Sequence, residues 1–109
     1  MASFVSDPYV KVSLKNDAKV VGKKKTSVRD KTLNPIFNES FVFSITSEKI
    51  RYSTLHVAVM DYDKFSKNDY IGVIDLCERA GGTESKHWKE MLSSSGQPVS
   101  FWHTLKEAK

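Results

Sequence analysis

Residues 57 to 72 read Val57-Ala58-Val59-Met60-Asp61-Tyr62-Asp63-Lys64-Phe65-Ser66-Lys67-Asn68-Asp69-Tyr70-Ile71-Gly72, an alternating apolar strand that runs into three carboxylates and resumes as a second strand. Asp61 and Asp63 stand two apart, so on an extended chain their side chains leave on one side, and Asp69 folds back toward them from the far arm of a loop. Three like charges held together repel at neutral pH, and a hard cation relieves that repulsion. Ca²⁺, with its six to eight oxygens in flexible geometry, suits carboxylates and backbone carbonyls better than Mg²⁺ does. The alternative is a hairpin loop with solvated acids, since Asp and Asn are ordinary turn residues. An EF-hand is excluded: the carboxylates fall at positions 1, 3 and 9, the sixth residue is Ser66, the twelfth is Gly72, and the flanks read as strands.

Outward from this loop the period of two continues. Leu55, Val57 and Val59 alternate with His56, Ala58 and Met60 on the strand that delivers the acids. His56 has no second His or Cys at ligand spacing and reads as sheet surface. Tyr70 to Leu76 is the returning strand, with Gly72 marking a bulge or a close approach. Upstream, residues 8–14 alternate Tyr9, Lys11 and Ser13 with Val10, Val12 and Leu14, and Pro8 starts the strand where its missing N–H costs least. Asn16-Asp17 turns the chain into a basic strand from Lys19 to Val28. Thr32-Leu33-Asn34-Pro35 is a second turn. The stretch 36–45 predicts a strand whose Phe37, Phe41, Phe43 and Ile45 face the core, interrupted by Glu39 at an edge or bulge, and 46–50 allows one helical turn. The spacing of His87, Trp88, Met91 and Leu92 predicts a helix over 84–92, capped by Thr83. Residues 98–105 supply a last strand. Six strands with short turns and one inserted helix predict an all-β sandwich of two antiparallel sheets.

The chain has 109 residues, 39% hydrophobic and 28% charged, which is the composition of a single soluble domain spanning 1–109. Cys77 is the lone cysteine, so no disulfide forms within a monomer; a buried thiol and a reducing, cytoplasmic compartment are expected. No apolar run is long enough for a membrane span, and the first residues lack the pattern of a signal peptide, which leaves membrane contact to the surface or to another part of a parent protein. Lys15 to Lys31 holds seven basic residues against Asp17 and Asp30, a net of +5 in a chain whose total is +4. Lys23, Lys24 and Lys25 lie at its centre. Such a strand is either a solvated, aggregation-resistant edge or a surface for anionic lipid, where each Lys contributes about 1 kcal/mol before screening. Nucleic acid is disfavoured, because there is no Arg-rich helix, no finger spacing and no aromatic ladder among the basic residues. An enzyme is disfavoured too, as no nucleophile has a base at a readable offset and His56, His87 and His103 share no motif.

Ser6-Asp7-Pro8-Tyr9-Val10-Lys11-Val12, Lys23-Lys24-Lys25-Thr26, Thr32-Leu33-Asn34-Pro35-Ile36-Phe37-Asn38-Glu39, Met60-Asp61-Tyr62-Asp63-Lys64, Asn68-Asp69-Tyr70-Ile71-Gly72, His87-Trp88-Lys89-Glu90-Met91 and Trp102-His103-Thr104-Leu105 together resemble a C2 domain, specifically the second, membrane-distal C2 domain of the synaptotagmins. The resemblance implies a C2-type antiparallel sandwich with Ca²⁺ between loops at one end, binding to anionic phospholipids such as phosphatidylserine and PIP₂, and a part in regulated vesicle exocytosis beside SNARE proteins. It also implies that the domain is truncated at the N-terminus: the family's first loop aspartate falls at Met1, strands that complete the sheets are missing, and self-association through the incomplete sheet is expected. The family's arginine pair for SNARE contact is replaced by Ser95-Gly96-Gln97-Pro98. The Ca²⁺ shell implied for this chain is Asp7, Asp61, Asp63 and Asp69 with the Tyr62 carbonyl and a Ser66 oxygen, enough for one weak site. Phe65 is expected at the loop tip, entering the headgroup region, while Lys23, Lys24 and Lys25 form a Ca²⁺-independent surface for phosphoinositide or acidic protein.

Overall fold

A computed structural model of the chain describes residues 5–108. The alternating apolar runs form four strands: β1 (Pro8–Asn16), β2 (Lys19–Lys25), β3 (Ser53–Asp61) and β4 (Asp69–Leu76). They make one antiparallel sheet in the order β2-β1-β3-β4. β1 and β2 are joined at Asp17, whose φ of 56° lies in the left-handed region that Asp tolerates better than most residues. β1 then pairs along its whole length with β3, from Pro8 opposite Asp61 to Asn16 opposite Ser53. The turn α1 (Ser47–Ile50) is capped by Thr46, whose hydroxyl accepts from the Lys49 amide, and the longer α2 (Gly82–Ser93) follows β4.

Register divides the side chains between two faces. Leu14, Leu55 and Leu76 form one cross-strand row, and Val12, Val57 and Ile74 the next. On this face Leu14, Ile74, Leu76 and Trp88 are buried together, with Met91 and Leu92 of α2 and Phe43 and Ile45 packed against them. The opposite face carries Lys11, Ser13, His56, Ala58, Val73 and Asp75, and its smaller apolar cluster of Tyr9, Ala58 and Met60 lies toward the acidic loop. Gly72 meets both readings of its position. The β3–β4 register slips between Val59 and Met60, opposite Gly72 and Tyr70, and a Cβ on Gly72 would stand 2.6 Å from Leu105 Cβ.

Four of the six expected strands form among the described residues. Residues 36–45 keep the predicted alternation, with Phe37, Phe41, Phe43 and Ile45 partly buried and Val42 82% exposed, but they join no ladder. Side chains anchor this stretch in place of strand pairing. Arg29 donates to the carbonyls of Ile36 (3.1 Å) and Phe37 (2.6 Å), and Phe43 lies over Gly22, where a Cβ would come within 2.8 Å of its ring. The expected interruption at Glu39 is real: Asn38 has φ 49°, and Glu39 turns outward to Arg29 at 3.1 Å. Residues 98–105 likewise stay outside the sheet, and only Lys106 makes a bridge, to Val73. Both stretches show that the period of two reports which side chains face inward, whereas a ladder also needs a neighbouring backbone. β2 ends at Lys25 and not at Val28, since Thr26 turns its hydroxyl to the Val10 amide.

The helix cap differs as well. α2 starts at Gly82 after Gly81, which makes no side-chain cap. Thr83 instead donates to the Glu84 carboxylate at 2.8 Å. Glu84 is buried and pairs with Lys106, and these contacts, the Lys106 ammonium first, hold its carboxyl down to about 2. Cys77 is half-buried, more open than expected. Met1 and Phe4 lie outside the described residues.

Candidate functional site

At one end of the sheet the chain leaves β3 at Asp61 and re-enters β4 at Asp69, and these two carboxylates are direct cross-strand partners. Like charges in that relation destabilise a ladder. Asp7, immediately before β1, is tied to the same end by two backbone contacts. Its N–H donates to Asp61 Oδ1 (2.9 Å), and its carbonyl accepts from the Tyr62 N–H (2.9 Å). Asp7 Oδ1 also accepts from the Lys31 amide at 2.7 Å, so the 26–32 connection is drawn toward the acids.

Asp63 organises the loop between them. Its carboxylate accepts from the Phe65 N–H and the Ser66 hydroxyl, both at 2.8 Å, while its own N–H donates to Asn68 Oδ1. The Phe65 amide, then the Ser66 hydroxyl, holds the Asp63 carboxyl below its ordinary range. Asn68 in turn donates to the Tyr9 hydroxyl at 2.7 Å, which pins the far arm of the loop to the sheet. Phe65 is left 88% exposed at the tip, with the Lys64 ammonium 5.4 Å from its ring centre.

The structure thus gathers Asp7, Asp61, Asp63 and Asp69, with Tyr62 and Ser66, at one end of the sheet. It does not close them into a cage: among the described residues no three carboxylate, imidazole or thiol groups stand near enough to hold one ion. None of the four acids makes an ion pair with another described residue. The donor set fits a hard cation on chemical grounds. It is all oxygen and fourfold negative when ionised, and no basic side chain among the described residues pairs with it.

A second feature lies on the polar face of the sheet, where a groove of about 500 Å³ is bordered by Lys11, Ser13, Lys15, Lys23, Lys25 and His56. Lys23 and Lys25 share this face because they pair with Ser13 and Lys11. Lys24 pairs with Val12 of the opposite face, yet still borders the groove at the open edge of β2. The basic stretch read from the sequence, Lys15 to Lys31 centred on 23–25, includes Lys15 but misses Lys11, which the neighbouring strand brings to the groove. Sequence reading also missed that His56 Nδ1 lies 2.6 Å from Asp75 Oδ1. The signal was available only in the β3–β4 register, which puts 56 opposite 75.

A C2 domain family model matches residues 2–91. Similar curated proteins include mouse (Mus musculus) synaptotagmin-7, 54% identical over 101 residues, which are 93% of this chain and 25% of that protein. Human (Homo sapiens) synaptotagmin-2 is 50% identical over 102 residues, 94% of this chain and 24% of its own length. Rat (Rattus norvegicus) synaptotagmin-1 is 45% identical over 101 residues, 93% and 24% of the two chains. The chain therefore spans about a quarter of the curated relatives it matches. Among solved structures it is similar to the RIM C2A domain from Drosophila (TM-score 0.58, 28% identity, 64% of this chain and 56% of that one). It is also similar to the C2A domain of plant Extended Synaptotagmin 1 (TM-score 0.56, 33% identity, 64% and 50%).

Proposed function

The chain belongs to the C2 domain family, and from that premise we propose that it binds anionic phospholipid membranes in a Ca²⁺-dependent manner as part of regulated vesicle exocytosis. The observation that carries this reading is the set of four carboxylates at one end of the sheet, two of them opposed across a ladder and none neutralised by a described residue. Asp7, Asp61, Asp63 and Asp69, with the Tyr62 carbonyl and Ser66 oxygen, would hold Ca²⁺. Bound there, the ion supplies positive charge next to lipid phosphate. The chain's own residues do the rest. The Asp7–Asp61 clamp and the Asn68–Tyr9 bond fix the loop to a rigid sheet, and exposed Phe65 offers an aromatic ring to the headgroup region. Without a cation the same acids repel an anionic bilayer. By its resemblance the chain is a second, membrane-distal domain of its parent, acting at the cytoplasmic face of vesicle or plasma membranes near SNARE proteins.

Calorimetry on the chain and on a D61N/D63N variant, with cosedimentation on phosphatidylserine vesicles, tests the reading. The wild type should bind one Ca²⁺ weakly and sediment only when the ion and the anionic lipid are both present. Identical calorimetric heats for the two proteins, or equal sedimentation in EDTA, would overturn it.

A second surface is favoured by the basic groove. Lys23 and Lys25, with Lys24 at the rim, supply a Ca²⁺-independent site for phosphoinositide headgroups or acidic protein, and its strength should fall steeply with salt because exposed charges act over about 8 Å at physiological ionic strength.

A further inference from the structure

We propose that His56 makes anion binding in the basic groove proton-linked: a ligand with clustered phosphate or sulfate groups binds there with uptake of a proton by the imidazole. This rests on the second surface above and adds to it a dependence that the lysines alone cannot have, since lysines stay charged throughout the physiological range.

The groups around His56 follow from register. Across β1 it faces Ser13, and diagonally Lys11 and Lys15; beyond Ser13 on β2 lies Lys23, with Lys25 one row further. Across β4 it faces Asp75, and Tyr70 closes the far end of the groove. Behind it, His56 and Asp75 also border a second hollow with Cys77, Arg79, Glu84, Lys106 and Glu107. The imidazole is thus a member of the groove wall, 28% exposed in its side chain, standing between a field of lysines and one carboxylate.

Those two neighbours oppose each other. The lysines disfavour an imidazolium, and Asp75 at 2.6 Å favours it. A polyanion seated in the groove neutralises the lysine field and leaves Asp75 in place, so the balance tips toward the protonated ring. The hydrogen bonds give the same answer. With Nδ1–H donating to the Asp75 carboxylate, a neutral ring presents a lone pair at Nε2, which has no partner among the described residues. Protonation turns that nitrogen from an acceptor, which repels phosphate oxygen, into a charged donor. Linkage is reciprocal: if the bound anion raises the proton affinity of His56, a lower pH must raise the affinity for the anion.

Titration calorimetry of the full chain in EDTA with inositol hexasulfate, whose own charge does not change with pH, measures this directly. The expected result is binding about fivefold tighter at pH 5.8 than at pH 7.5, inside the roughly tenfold gain for each step of one in pH that uptake of a single proton allows, with proton uptake revealed by buffers of different ionisation enthalpy. H56Q should bind as the wild type does at pH 7.5 and lose the low-pH gain and the proton uptake. D75N, which removes the carboxylate opposing the anion, should bind more tightly at pH 7.5. A wild type with equal affinity at both pH values, or H56Q that keeps the gain, would overturn the proposal while leaving the basic groove intact. No binding at either pH, or binding unaffected by K23A/K25A, would instead remove the groove itself. Repeating wild type and H56Q with PIP₂-containing and PIP₂-free phosphatidylcholine vesicles assigns the source: a difference confined to the soluble ligand points to free inositol polyphosphate, and one shared by the PIP₂ vesicles points to the lipid headgroup.

Discussion

Substituting Gly72 by alanine tests how the last stretch of the chain is held to the sheet. The new methyl would stand 2.6 Å from Leu105 Cβ, 3.2 Å from Leu105 Cδ1 and 3.3 Å from the Lys106 carbonyl oxygen. Two responses are open. If the 105–106 segment stays, overpacking costs about 1–3 kcal/mol. If it swings away, the clash vanishes but the reciprocal Val73–Lys106 pair is lost, Val73 N–H to Lys106 O at 2.8 Å and the reverse at 2.9 Å. At about 0.5–1.5 kcal/mol net for each bond, that route costs about 1–3 kcal/mol as well. Alanine returns roughly 0.4–1 kcal/mol by restricting the unfolded chain. The chain takes the cheaper route, so G72A should be destabilised by about 1–2 kcal/mol in a urea titration. Hydrogen exchange at the Val73 amide identifies the route, because only departure of the segment exposes it. An unchanged or raised midpoint with the Val73 amide still protected would refute the reasoning.

Other outcomes follow from the core and the buried carboxylate. L14A removes a buried side chain from the β1 end of the leucine row and should cost about 2–5 kcal/mol, read from the same urea titration. Glu84, held down to about 2 in the folded chain from an ordinary 4.5, stabilises the fold above pH 4.5; that contribution is lost as pH falls from about 4.5 toward 2. In E84Q this acid-dependent loss should be smaller, as seen in thermal melts across that window. Trp102 (95% exposed) and Ile36 (81%), together with the apolar hollow of about 300 Å³ lined by Phe43, Ile45, Trp88 and Met91, should make the chain self-associate. Sedimentation equilibrium should show a mass that rises with concentration, and a strict monomer would contradict this.

The sequence made β1, β3 and β4 legible because each alternates cleanly and ends at a Pro, an Asp or a loop. The burial of Phe37, Phe41, Phe43 and Ile45 was legible for the same reason, but their lack of a ladder was not, since pairing depends on a neighbouring backbone that periodicity does not describe. Thr83 had the local features of a cap, but the helix starts one residue before it and its hydroxyl donates to Glu84, whose other partner, Lys106, is distant in sequence. Asp61, Asp63 and Asp69 could be grouped from their spacing, whereas Asp7 joined them only through the family resemblance. The spacing left a cation site and a solvated loop equally open, and the family resemblance chose between them. His56 was legible as sheet surface and Asp75 only as a member of the returning strand, and the slip between Val59 and Met60 determines that they meet.

The strand order β2-β1-β3-β4 also sets the sequence of events when the chain folds. Each outer pair is joined by a short connection and can zip up alone on the microsecond scale of hairpins. The central seam is different. Even its nearest partners, Asn16 and Ser53, are 37 residues apart, so joining β1 to β3 must first close a long loop whose entropy is lost before any seam contact forms. Until that happens one hairpin carries the lysines without His56 and Asp75, and the other carries Asp61, Asp63 and Asp69 without Asp7. Neither proposed ligand surface is complete in a half-folded chain, and closing the β1–β3 seam completes both.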